Sequence, residues 1–84
     1  MGTTKAIGLD TNWLQVSNIG EHVTIILQND WEALVHYGDV EPANGTPDFL
    51  TLSRKSRTIS LSTTTSPVWC RSQGSGSLIT VLKG

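Results

Sequence analysis

Cysteine is almost absent from this chain, and the other residues that commonly bind metals are scarce. Among 84 residues there is one cysteine, Cys70, and there are two histidines, His22 and His36. A single cysteine excludes an internal disulfide and a cysteine-based metal cluster. Such a composition is typical of a protein that matures in a reducing environment, which indicates synthesis in a cytoplasm.

Charged residues are also few, and neither sign prevails. Six lysines and arginines stand against seven aspartates and glutamates, so the net charge is −1. Proteins that bind nucleic acid usually carry a basic face, and we therefore expect no nucleic-acid partner. The one small basic cluster, Arg54, Lys55 and Arg57, is typical of a solvated turn.

Long apolar runs are missing as well. The longest, 23–27, is interrupted by Thr24, whereas a transmembrane helix needs about 20 apolar residues. The first residues lack the positively charged start and the apolar run of a signal peptide. We expect neither a membrane segment nor a secretion leader.

What the chain does contain is a period-two alternation of apolar and polar residues, the pattern of half-buried strands. In 31–37, for example, Trp31, Ala33, Val35 and Tyr37 alternate with Glu32, Leu34 and His36. Turn residues separate the segments, as between strands of a sandwich or barrel. Seven short strands are predicted, at 12–17, 22–28, 31–37, 49–52, 57–61, 68–72 and 78–82.

These segments predict an all-β protein, a small antiparallel β-sandwich or barrel formed by one domain, 12–84. Residues 1–11 are polar and show no periodicity, so they are expected to form an extended N-terminal arm that a neighbouring molecule would order. The prolines of the long loop 38–47 restrict its conformations when it is free, so the loop loses less entropy when it docks on a partner. An alternative for 31–37 is two turns of helix, since Asn29-Asp30 resembles an N-cap.

No set of residues has the spacing of a catalytic or metal site. His22 and His36 fall on separate predicted strands, and the acids nearby, such as Asp30 and Asp39, belong to turns. A hydrolase would need a nucleophile, a base and an orienting acid together. Cys70 lies within a predicted strand and is expected to be a buried, unreactive thiol. We therefore expect no enzymatic activity, no cofactor and no metal.

The tryptophans are the strongest candidates for function, because each contributes a large apolar area. Trp31 is assigned to the core. For Trp13 and Trp69, alternation does not decide between three roles: core residues, interface anchors or sugar-stacking platforms. The candidate interface residues are Trp13, Tyr37, Trp69, Arg71, Pro42 and Pro47.

The last third of the chain carries a resemblance. After the Ser/Thr tract and Pro67 comes VWCRS, with Trp69 and Arg71 two positions apart, then the QGSGS turn and a final apolar strand, LITV. The start, WLQVS, and the run from Tyr37-Gly38 to Pro42 are similar in style. With these features the chain resembles the small β-sandwich accessory virion proteins of tailed bacteriophages, of the decoration, knob or fibre-base type.

The resemblance implies a non-enzymatic structural protein of a tailed-phage virion, made in the host cytoplasm, that decorates or stabilises the capsid or tail. It implies a homo-oligomer, with a trimer as the first expectation, and contacts with major capsid or tail proteins. A small core without disulfides gains from oligomerisation. The alternative is a carbohydrate-binding β-module that uses surface tryptophans.

Overall fold

A computed structural model describes residues 2–62, 64–74 and 76–84 of the chain. In this part of the chain every regular element is a β-strand, and no helix is long and apolar enough to span a bilayer. The eight strands are β1 (Thr3–Gly8), β2 (Leu14–Ser17), β3 (Val23–Leu27), β4 (Ala33–Tyr37), β5 (Leu50–Leu52), β6 (Thr58–Leu61), β7 (Val68–Ser72) and β8 (Leu78–Lys83).

The strands form two four-stranded antiparallel sheets, which confirms the predicted all-β antiparallel class. One sheet has the order β1-β8-β3-β6 and the other has the order β2-β7-β4-β5. Neighbours in each sheet are mostly distant in sequence, as when β1 pairs with β8 along its whole length. Two sheets of four strands in these orders are the arrangement of a jelly roll.

The core lies between the sheets and is almost wholly aliphatic. Burial alternates along β3 and β7, because successive side chains of a strand point to opposite faces. The core cluster draws on both sheets and consists of Leu9, Val16, Val23, Ile25, Leu27, Ala33, Val35, Leu52, Val68, Cys70, Ile79 and Val81.

The N-terminal segment differs from the expected arm. Residues Thr3–Gly8 form β1, which hydrogen-bonds along β8 at the edge of its sheet. The expectation missed this strand because its side chains are mostly exposed, so they leave no apolar pattern in the sequence. Backbone pairing, the partial burial of Ile7 and the full burial of Leu9 hold the segment on its own chain.

The assignment of Trp31 to the core is wrong, since 63% of its surface is exposed. Strand pairing begins two residues later, where Ala33 lies opposite Ser72 and Leu52. The Asn29 side chain accepts the backbone N–H of Trp31 (3.3 Å), which makes a turn of residues 29–31. Trp31 therefore lies two residues before the start of β4, outside the space between the sheets.

Candidate functional site

The outer face of the second sheet carries a layer of large side chains that point away from the core. Leu34 lies opposite Arg71 and His36 lies opposite Trp69 across β4 and β7, so these four share one face. Trp13, just before β2, joins them: its ring lies edge-on to His36 at 5.9 Å, and the Arg71 guanidinium lies 5.4 Å from its centroid. We call Trp13, Leu34, His36, Trp69 and Arg71 the outer cluster.

The loop of residues 38–49, which connects β4 to β5, covers this cluster. Trp69 Nε1–H donates to the carbonyl oxygen of Gly38 (2.9 Å), and Trp13 Nε1–H donates to that of Ala43 (3.3 Å). Both indole donors are thereby satisfied beneath the loop, as buried polar groups require. As a result Trp13 is 5% exposed and Leu34 is 1% exposed, although both lie outside the sandwich core.

Two further side chains of the outer cluster hold the same loop. Arg71 donates to the Asn44 carbonyl (3.2 Å), and His36 Nδ1 lies 2.6 Å from the Asp48 carbonyl. Because a carbonyl oxygen can only accept, Nδ1 of His36 must carry the proton in this bond. The long loop is thus bonded at four carbonyls to side chains of the sheet beneath it.

The structure separates the six candidate interface residues into covered and exposed groups. Trp13 is buried, and Trp69, Arg71 and Pro42 are half-buried. Tyr37 and Pro47 are exposed. The Tyr37 hydroxyl accepts a hydrogen bond from the Thr65 backbone N–H and forms a second one with the Thr65 hydroxyl. These hydrogen bonds lower the pKa of Tyr37. Alternation left Trp13 and Trp69 open between the core and the outward face; the structure places both on the outward face, and alternation carries no signal for what covers it.

No metal-binding group of three or more His, Cys, Asp or Glu residues occurs among the described residues. Cys70 is fully buried, and burial raises the pKa of its thiol to about 12. Arg57 was expected in a solvated turn. It is instead half-buried, and its guanidinium holds the neighbouring backbone in place. It donates to the carbonyls of Leu27 and Asn29 and pairs with Asp30 at 2.7 Å.

One lateral edge of the sandwich opens into a cleft between β1 and β2. This β1/β2 cleft has a volume of about 670 Å³. Its floor includes the core residues Val16 and Val81, and its rim includes Ile7, Leu14 and Lys5. Leu14 faces inward as predicted, since it lies opposite Cys70. It is nevertheless exposed, because β2 is the last strand of its sheet.

The opposite edge opens between β5 and β6. This β5/β6 cleft is smaller, about 230 Å³, and its lining residues include Tyr37, Phe49, Leu50, Ile59 and Leu61. The first three are exposed apolar or aromatic side chains. Aromatic and aliphatic groups with little charge around them are typical of the centre of a protein interface.

Comparisons with protein-family models, with curated proteins and with solved structures found no match.

Proposed function

We propose that this chain is a non-enzymatic structural protein of a tailed-phage virion, which decorates or stabilises the capsid or tail through protein–protein contacts. The observation that carries the proposal is the pair of open, apolar sandwich edges, the β1/β2 cleft and the β5/β6 cleft. Exposed apolar patches beside unpaired strand edges favour association with other chains. The proposal includes a homo-oligomer, with a trimer as the first expectation, and contacts with major capsid or tail proteins.

The fold agrees with this proposal but does not carry it. Jelly rolls occur in viral capsid domains, and they also occur in lectins and cupins. Because one fold serves many functions, support has to come from particular residues. Here it comes from the apolar edges and from the resemblance of VWCRS and the strands around it to phage accessory proteins.

The tryptophans support a virion protein better than the carbohydrate-binding alternative. Sugar-stacking platforms need exposed aromatic faces, and two of the three tryptophans lie beneath the β4–β5 loop. Trp31 is exposed, but it has no second tryptophan beside it. The covered indoles bond to carbonyl oxygens of their own chain instead of presenting donors to a ligand.

The direct test is the composition of particles made by the genome that encodes the chain. Mass spectrometry of purified particles should find the chain in a fixed ratio to a capsid or tail protein. Replacing the codons of the exposed apolar pair, Phe49→Ser and Leu50→Ser, should reduce that ratio strongly, while the control Trp31→Ser should leave it unchanged. Particles that lack the unaltered chain, or a chain that binds glycans through Trp31, would overturn the proposal.

A further inference from the structure

The two open edges carry charges of opposite sign. The described residues that line the β1/β2 cleft include Lys5 and Lys83 and no carboxylate. Those that line the β5/β6 cleft include Asp48 and neither lysine nor arginine. Lys83 already lies 3.6 Å from Glu21, whereas Lys5 has no ion pair within the described part of the chain. Lys5 is therefore the cation available to an outside partner.

The strand register also defines the face of the sheet on which Lys5 lies. In the register of β1 with β8, Lys5 lies opposite Val81 and Ile7 lies opposite Ile79, and both partners are core residues. Residues opposite one another in a sheet share a face, so Lys5 is on the face that looks toward the second sheet. An inward-facing lysine at an edge strand is one device that prevents uncontrolled edge pairing. A carboxylate on an occupant of the cleft would give this lysine an ion-pair partner.

Strand directions make the two edges geometrically compatible. Each sheet has four antiparallel strands, so its two edge strands run in opposite directions. A second copy in the same orientation would therefore present β6 antiparallel to β1 and β5 antiparallel to β2. Both sheets would continue across the contact with the same pairing that they have within one chain.

The apolar residues match in the same way. Leu14 and the half-buried Ile7 line the receiving edge, and Phe49 and Leu50 project from the other. A symmetric contact of two β1/β2 edges would instead bring lysines against lysines, which costs interaction free energy. The charges thus favour a contact between unlike edges.

We propose that the β5/β6 edge of one copy docks on the β1/β2 cleft of the next, with Asp48 beside Lys5. This inference rests on the self-association included in the proposed function and defines its interface. A contact between unlike edges is heterologous, so copies add head to tail: neighbours in the same orientation extend as a filament, and a rotation between neighbours that closes gives a ring. A trimer is one such ring.

The test is a charge exchange on the purified full chain, followed by sedimentation velocity across a range of concentrations. Lys5→Asp and Asp48→Lys should each weaken self-association by about tenfold or more. Mixing the two variants should restore it, because each mixed contact then joins opposite charges. Because the variants must alternate, the mixture should form open chains or even-numbered rings and no three-membered ring.

Two controls carry the same changes in charge away from both clefts, Lys55→Asp and Asp39→Lys, and they should associate like the unaltered chain. Melting curves confirm that every variant is folded. A monomeric unaltered chain at about 100 µM, where an interface with a micromolar dissociation constant is largely associated, would overturn the proposal. So would single exchanges without effect, or a mixture that stays dissociated.

This experiment and the particle analysis fail independently. A chain found in particles but monomeric in solution would retain the virion role and overturn both the self-association and the head-to-tail contact. A chain that obeys the charge exchange but is missing from particles would retain the contact and overturn the virion role.

Discussion

The sandwich core and the outer cluster are both buried, but they are built from different chemistry. The core cluster contains aliphatic side chains and Cys70, and at one end of it the buried hydroxyls of Ser72 and Ser77 hydrogen-bond to each other (2.7 Å). In the outer cluster every member except Leu34 carries nitrogen, and one nitrogen of each of these four side chains donates to a carbonyl of the β4–β5 loop. The sheets can bury aliphatic groups against each other, whereas a loop brings unpaired carbonyls that its underlying surface must satisfy.

This difference indicates where partners can bind. The outer face of the second sheet is already occupied by the chain's own loop, whereas the two lateral edges are open. It also shows the cost of a polar layer. Nε of Arg71 is buried without a hydrogen-bond partner in the structure, and such a group lowers stability.

Two leucines with equal burial allow the layers to be compared directly. Leu27 in the core and Leu34 in the outer cluster are each 1% exposed. We expect Leu27→Ala to lower the free energy of unfolding by about 4 kcal/mol and Leu34→Ala by about 2 kcal/mol, because a loop relaxes into a cavity more readily than paired sheets. Urea denaturation measures both. Equal losses would show that the loop is as rigid as a sheet.

A glycine substitution tests how closely the loop fits the outer cluster. A Cβ atom at Gly38 would lie 2.8 Å from Nε2 of His36, so the imidazole would have to move and weaken its bond to Asp48. We expect Gly38→Ala to cost about 2 kcal/mol, measured by thermal unfolding. Gly45→Ala is the control, since no atom lies within 4 Å of its added Cβ. A change at Gly38 as small as the control's would contradict the close fit.

The core thiol predicts a pH dependence of stability. Burial raises the pKa of Cys70 from 9.0 to about 12, so the folded state holds this proton more tightly than the unfolded state. The stabilisation is complete below pH 9 and is lost as pH rises toward 12, by about 1.4 kcal/mol per pH unit. The stability of Cys70→Ala, compared at each pH, should lack this decline. If the stability of the unaltered chain and of Cys70→Ala changed with pH in the same way, the thiol would be in contact with water.

The smallest expected effect isolates one hydrogen bond of the outer cluster. Trp13→Phe keeps an aromatic ring over His36 and removes the donor to the Ala43 carbonyl, which should cost about 1 kcal/mol. The exposed Trp31→Phe is the matched control and should change stability by less than about 0.5 kcal/mol. Equal effects of the two substitutions in chemical denaturation would argue against a bond beneath the loop.

The sequence predicted the parts of the fold that depend on local alternation. Segments 22–28 and 68–72 contain β3 and β7, whose buried residues follow the apolar period. The jelly-roll order depends on pairing between distant segments, such as β1 with β8, and local alternation carries no information about it. β1 was missed because hydrogen bonds to its backbone, which any residue type can make, place it in the sheet.

For the candidate site, too, the sequence predicted only what local alternation determines. Alternation put Trp69 and Arg71 on one face, and their register with His36 and Leu34 confirms that arrangement. It could not indicate that a loop lies over them, because the acceptors are main-chain carbonyls of Gly38 and Asn44. The edges depend on strand order, so the proximity of Lys5 to Leu14 had no signal in the sequence.

The covered outer face is the central claim, and proton exchange of the three indole Nε1–H groups in NMR spectra measures it most directly. Trp13 and Trp69 donate to loop carbonyls, so their exchange with solvent should be slow. Trp31, which is 63% exposed, should exchange rapidly and serves as the internal reference. Slow exchange at two indoles and fast exchange at one is the predicted result; fast exchange at all three would show that the loop leaves the outer cluster open.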